Sequence, residues 1–144
     1  MVRIKNLQNR KTINQSKIRG IITIILSYLK IPDKSLSLVL CDNALIRRLN
    51  RKYFNKNSPT DVIAFPLNDK FSPSFLGEII ISIEETLKNS RVYETSFNRE
   101  FKLYLIHGIL HLLGYSDRKN KGRALMEKKQ EEIILFLGEA SRNR

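Results

Sequence analysis

Residues 97–113 constrain the fold most. Phe97, Phe101, Leu105, Ile106, Ile109, Leu110, Leu112 and Leu113 leave few polar sides on a helix that Ser96 can cap and Gly114 can end. A helix with so little polar face has to be covered, so the rest of the chain must pack around its second half. Inside this stretch sit the only two histidines of the chain, His107 and His111, four residues apart. On a helix both imidazoles leave the same face. An unmet imidazole N–H or lone pair in a buried helix costs on the order of 1–3 kcal/mol, so the pair asks for a shared partner.

The remaining pattern supplies the covering layers. Strands are expected over Val2–Leu7, Leu36–Cys41, Asp61–Pro66 and Gly77–Ser82. The second is apolar enough to be buried on both faces. A helix is expected from Asn14, its N-cap, to Lys30, because Ile18, Ile21, Ile22, Ile25, Leu26 and Leu29 form one apolar stripe. Asp42 or Asn43 can cap a second helix that turns Leu45, Ile46, Leu49 and Tyr53 inward. Helices also follow over Ile83–Tyr93 and from about Asn120 to Gly138, the last with Met126, Ile133, Ile134 and Leu137 inward. The fold class is therefore α+β over residues 1–144 as a single domain. It would hold a mixed sheet of about four strands, about five helices, and a central helix carrying the histidines.

Charge narrows the partners. Twenty-six Lys and Arg against fourteen Asp and Glu give a net charge of +12. Seven basic residues precede the first acidic one, Asp33. Such a chain usually meets a polyanion, with nucleic acid first and an anionic membrane surface second; a merely solvated basic surface is the plainer alternative. The run Ile21–Leu29 is too short to span a bilayer and lacks a cleavage site after it, so neither a membrane span nor a signal peptide is expected. One cysteine, Cys41, excludes an intrachain disulfide and suits a reducing, cytoplasmic setting.

A divalent metal is one shared partner for the histidines, since neutral imidazole is a common zinc ligand. Gly114 can take a left-handed cap and let the chain turn back, bringing Asp117 toward the pair. The pattern H-x-x-x-H-x-x-G-x-x-D matches zinc sites in which a glycine turn delivers the third ligand. Three protein ligands leave a fourth position open, as a catalytic site needs. The competing reading is a pair of core histidines satisfied by Glu100, Tyr104 or backbone carbonyls. Peptidases of this spacing carry a glutamate directly after the first histidine as general base; here that residue is Gly108, which excludes their mechanism.

These residues resemble the YbeY family of bacterial rRNA-maturation endoribonucleases. Its motif H-G-x-L-H-L-x-G-Y-D-H is similar to His107-Gly-Ile-Leu-His111-Leu-Leu-Gly114-Tyr-Ser-Asp117. Its upstream pattern L-N-x-x-Y-R-x-K-D-x-P-T-D-V-L-S-F-P is similar to Leu49–Pro66, and L-G-D-I-x-I-S to Leu76–Ser82. The resemblance implies a small α+β domain and a zinc-type site of three residues. It also implies cleavage of single-stranded RNA in 3′-end maturation of small-subunit (16S) rRNA and in ribosome quality control. The partners it implies are the small ribosomal subunit, a ribosomal protein of that subunit and an Era-type GTPase. Two departures stand out: Asp117 replaces the third histidine, and Phe54 replaces an arginine suited to clamp phosphate.

The expected activity is thus a zinc-dependent endoribonuclease with one Zn2+ per chain held by His107, His111 and Asp117. Arg47, Arg48, Arg51, Lys52 and Lys56 would track the RNA backbone. Glu78 or Asp61 can orient water, although capping a strand end or pairing with a lysine is the plainer role for each. The rival is a non-catalytic, basic rRNA-binding assembly factor with a structural metal.

Overall fold

Four short runs of branched apolar residues pair into one sheet. The structure is a computed structural model that describes residues 2–67 and 69–138. In chain order it holds β1 (Val2–Asn6), α1 (Gln15–Tyr28), β2 (Ser35–Cys41), α2 (Asn43–Phe54), β3 (Val62–Pro66), β4 (Phe75–Ser82), α3 (Ile83–Val92), α4 (Phe97–Leu112) and α5 (Asn120–Phe136). The sheet order is β1-β2-β4-β3. β1, β2 and β4 run parallel, and β3 lies antiparallel to β4 at one edge. The architecture is the mixed α+β sheet that the sequence implies.

Alternation on the strands divides the core in two. Leu36, Leu38, Leu40, Ile79 and Ile81 face α1, α4 and α5 in the larger cluster. Val39, Cys41, Ile63 and Ile80 face the other way, against Ile46, Leu45 and Leu49 of α2. β2 is thus buried on both faces. Burial pushes the Cys41 thiol up to about 12, so it is an inert core group. β4 starts two residues earlier than expected, because Ser35 pairs with Phe75 ahead of an irregularity in the register.

Caps set the helix starts. Asn14, Ser82 and Ser96 each accept a backbone N–H three residues on, from Lys17, Glu85 and Arg99. Asp42 occupies the N-cap of α2 without making that bond; its carboxylate accepts from Arg10 Nε at 3.1 Å instead. Tyr53 departs from its inward expectation and is 55% exposed. Leu45, Ile46 and Leu49 already cover the sheet, and the last turn of α2 carries Tyr53 to edge strand β3, where it meets the ring of Phe65. No described helix is long and apolar enough to cross a membrane.

Candidate metal centre

Helix α4 positions the two histidines because it is packed on nearly every side. Leu105, Ile106, Ile109 and Leu110 are fully buried around them. Gly108 lies against β4: a Cβ there would come within 2.8 Å of Ile79 Cγ2. The missing side chain lets the helix approach the sheet closely, against the roughly 1 kcal/mol a helical glycine costs relative to alanine. A glutamate at this position would point into the sheet, away from the cleft, which gives the lack of a peptidase base a steric reason.

The helix ends as the sequence implies. Gly114 has φ +97°; its N–H donates to His111 O at 3.0 Å, and the Tyr115 N–H donates to Leu110 O at 3.0 Å. This paired motif reverses the chain at a left-handed glycine. The turn delivers Asp117 Oδ2 to 4.0 Å from His107 Nε2 and 3.9 Å from His111 Nε2, and the two Nε2 atoms lie 2.9 Å apart. One donor atom from each residue falls within 4.8 Å of the others, a group that could hold a metal ion.

The donor set fits zinc. Bonds of about 2.1 Å in tetrahedral array place donor atoms about 3.4 Å apart, and the observed separations bracket that value. Two nitrogens and a carboxylate oxygen are ordinary zinc donors. His107 Nδ1 lies 2.5 Å from Gln130 Oε1 of α5. An amide oxygen only accepts, so Nδ1 carries the proton and Nε2 keeps its lone pair for the site. His111 is held below its ordinary pKa, first by burial and then by His107, with opposing contributions from Asp117 and a backbone bond to Tyr115. It is therefore neutral at pH 7, the form that ligates.

Glu100 and Tyr104 have partners elsewhere: Glu100 pairs with Arg99 at 3.2 Å, and the Tyr104 hydroxyl accepts from Asn89 Nδ2 at 2.8 Å. Gln130 is the residue in contact with the candidate site that sequence reasoning missed. Its signal was there: Met126, Gln130, Ile133 and Ile134 form the inward stripe of α5, and Gln130 is the one polar member.

The site opens into a cleft across β3. His107, His111, Asp117 and Arg118 line it on the α4 side, and Phe54, Lys56 and Asn50 on the α2 side. Asp61 lies in the same cleft, its Oδ1 accepting from the Val62 N–H at 2.7 Å and lying 3.4 Å from the Thr60 hydroxyl. Of the five cations read as RNA contacts, Lys56 reaches the cleft. Arg48, Arg51 and Lys52 are exposed on α2. Arg47 lies in a separate depression beside Arg10, Glu84 and Arg91. Glu78 pairs with Phe65 and follows the alternation of Ile80, so it leaves the sheet on the α2 face, opposite the histidines.

Comparison with known proteins identifies the family. The family model described as endoribonuclease YbeY matches residues 3–138. An "Endoribonuclease YbeY" of Carboxydothermus hydrogenoformans is 34% identical over 140 residues, covering 96% of this chain and 98% of the relative. One from Geobacter metallireducens is 37% identical over 143 residues, covering 94% and 95%. One from Fusobacterium nucleatum is 42% identical over 108 residues, covering 72% and 67%. A solution structure from Thermotoga maritima superposes with a TM-score of 0.67 at 27% identity, covering 93% of this chain and 87% of the other. With a family match over nearly the whole given sequence and a histidine pair on the central helix, the chain belongs to the endoribonuclease YbeY family.

Proposed function

We propose that this protein is a zinc-dependent endoribonuclease that cleaves single-stranded RNA during 3′-end maturation of small-subunit rRNA and in ribosome quality control. The observation that carries the reading is the convergence of His107 Nε2, His111 Nε2 and Asp117 Oδ2 in an open cleft of a strongly basic chain. Bound there, one Zn2+ would supply Lewis-acid activation of water and neutralise charge on the phosphoryl oxygens. Gln130 holds His107 in the ligating tautomer. Lys56 and Arg118 can receive phosphates on either side of the scissile bond, and Asp61 offers a fixed acceptor to orient water. The partners this reading implies are the small ribosomal subunit, one of its ribosomal proteins and an Era-type GTPase, in the cytoplasm.

Metal analysis combined with cleavage of single-stranded rRNA tests this reading on the wild type, His111→Ala and Asp117→Ala. The wild type should carry one zinc per chain and cut, and both variants should lose metal and cleavage together. Metal-loaded wild type that binds RNA tightly but cuts none at any pH overturns the enzyme reading in favour of a non-catalytic assembly factor.

A further inference from the structure

The α2 bank of the cleft carries an aromatic group that packing does not account for. Phe54 ends α2, is 46% exposed, and lines the same cleft as His107, His111 and Asp117. Its ring stacks on Phe65 of β3, with centroids 6.2 Å apart and planes at 17°. Tyr53 meets Phe65 edge-on at 5.1 Å and 65°. Phe65 therefore packs in a near-parallel, offset contact with the Phe54 ring, while nearly half of the residue remains in solvent. The loop behind it is tied down: buried Asn50 donates through Nδ2 to Ser58 O at 2.9 Å, and Asn55 closes the helix in a left-handed conformation.

Two lysines lie near these rings. Lys52 Nζ sits 5.3 Å from the Tyr53 centroid, and Lys56 lines the cleft beside Phe54. A purely apolar partner would have to strip water from these charges, whereas a nucleotide offers a flat apolar base and an anionic phosphate together. We propose that Phe54, backed by Phe65, is the stacking platform for one unpaired base of the RNA strand that crosses the cleft. The inference rests on RNA being the ligand, as set out above, and deepens it. A base within a duplex has both faces covered by its neighbours, so a platform beside the metal site selects unpaired RNA.

The test is fluorescence anisotropy on the metal-free chain, so that binding is read without cleavage. The probes are a short oligoadenylate, an abasic strand of the same length, and a duplex. Phe54→Ala and Phe54→Leu should weaken oligoadenylate binding about five- to a hundredfold, the range of one lost base–aromatic stack, and Phe54→Trp should retain it. Affinity for the abasic strand and the duplex should be unchanged in all three, with thermal melting confirming that each variant is folded. Equal losses on the abasic strand, or unchanged oligoadenylate binding by Phe54→Ala, overturn the platform; the second result would leave the rings to a protein partner. Wild type that binds and cuts RNA while the Phe54 variants match it sinks the platform alone. Wild type that binds no RNA sinks the functional reading as well.

Discussion

The two banks of the cleft are built to different standards. On the α4 bank, His107 and His111 stand on a helix whose neighbouring residues are almost all buried, and a glutamine from α5 orients one ring. On the α2 bank, Phe54 and Lys56 sit at and beyond the end of a surface helix with a single stripe in the core. Chemistry at a metal needs donors held to a fraction of an ångström, and only a fully packed element provides that. Contact with a flexible polyanion needs charge and a flat surface, which tolerate looser support. Asp117 falls between the two: it belongs to the donor group, yet its side chain is 48% exposed on a turn.

Loss of a donor on the α4 bank, or of the residue that orients one, should be severe and specific to metal. His111→Ala should cost more than about a hundredfold in zinc affinity, measured by chelator competition, since losing a ligand exceeds the roughly 10–100-fold effect of losing a residue that orients one. Gln130→Leu should fall within that 10–100-fold range while the apo protein melts normally. An unchanged affinity in Gln130→Leu would mean that α4 orients His107 unaided. Gly108→Ala should destabilise the whole fold by about 1–3 kcal/mol in urea unfolding, because its methyl group must displace Ile79 or shift the helix off β4.

How much was readable in advance follows the same division. The strands, the α4 cap at Ser96 and the Gly114 turn were legible because each rests on local chemistry: alternation, a hydroxyl acceptor, a left-handed glycine. The grouping of His107, His111 and Asp117, which could hold a metal ion, was legible because its members share one helix and the turn after it. Gln130 was legible only as the polar member of an inward stripe; its partner was not, since it reaches His107 across 23 residues and only docking of α5 on α4 brings them together. Tyr53 was misjudged for a related reason. Helical spacing gives the direction of a side chain but not where the sheet beneath it ends. The placement of Glu78 depended on strand register, and that of Arg47 on the packing of α2 beside α3; neither is encoded by neighbours in the sequence.

Acid should probe the α4 bank without substitution. Burial first, and His107 second, disfavour protonation of His111, so the folded chain binds its proton at lower pH than the unfolded chain. The stability this group contributes is present above the unfolded value of 6.5 and is lost as pH falls through the lower folded value. The metal-free wild type should therefore lose more stability than His111→Gln between about pH 7 and about pH 5 in urea unfolding. Parallel pH curves would place the destabilising titration elsewhere.

The smallest effect belongs to the α2 bank. Lys56 follows Asn55, which takes the left-handed cap of α2, and its backbone N–H returns to Asn50 O at 3.3 Å, so its ammonium is carried on an anchored loop beside the cleft. A single phosphate contact releases less than one counterion from a single strand, about 0.7. Lys56→Ala should weaken binding of every single-stranded RNA alike, and the slope of log affinity against log salt should drop by about 0.7 to 1. Zinc content and thermal stability should stay at wild-type values, because the loop makes none of the donor contacts. A loss of metal in Lys56→Ala would show that the two banks are one mechanical unit. A sequence-dependent loss of binding would mean that this lysine reads a base edge rather than the backbone.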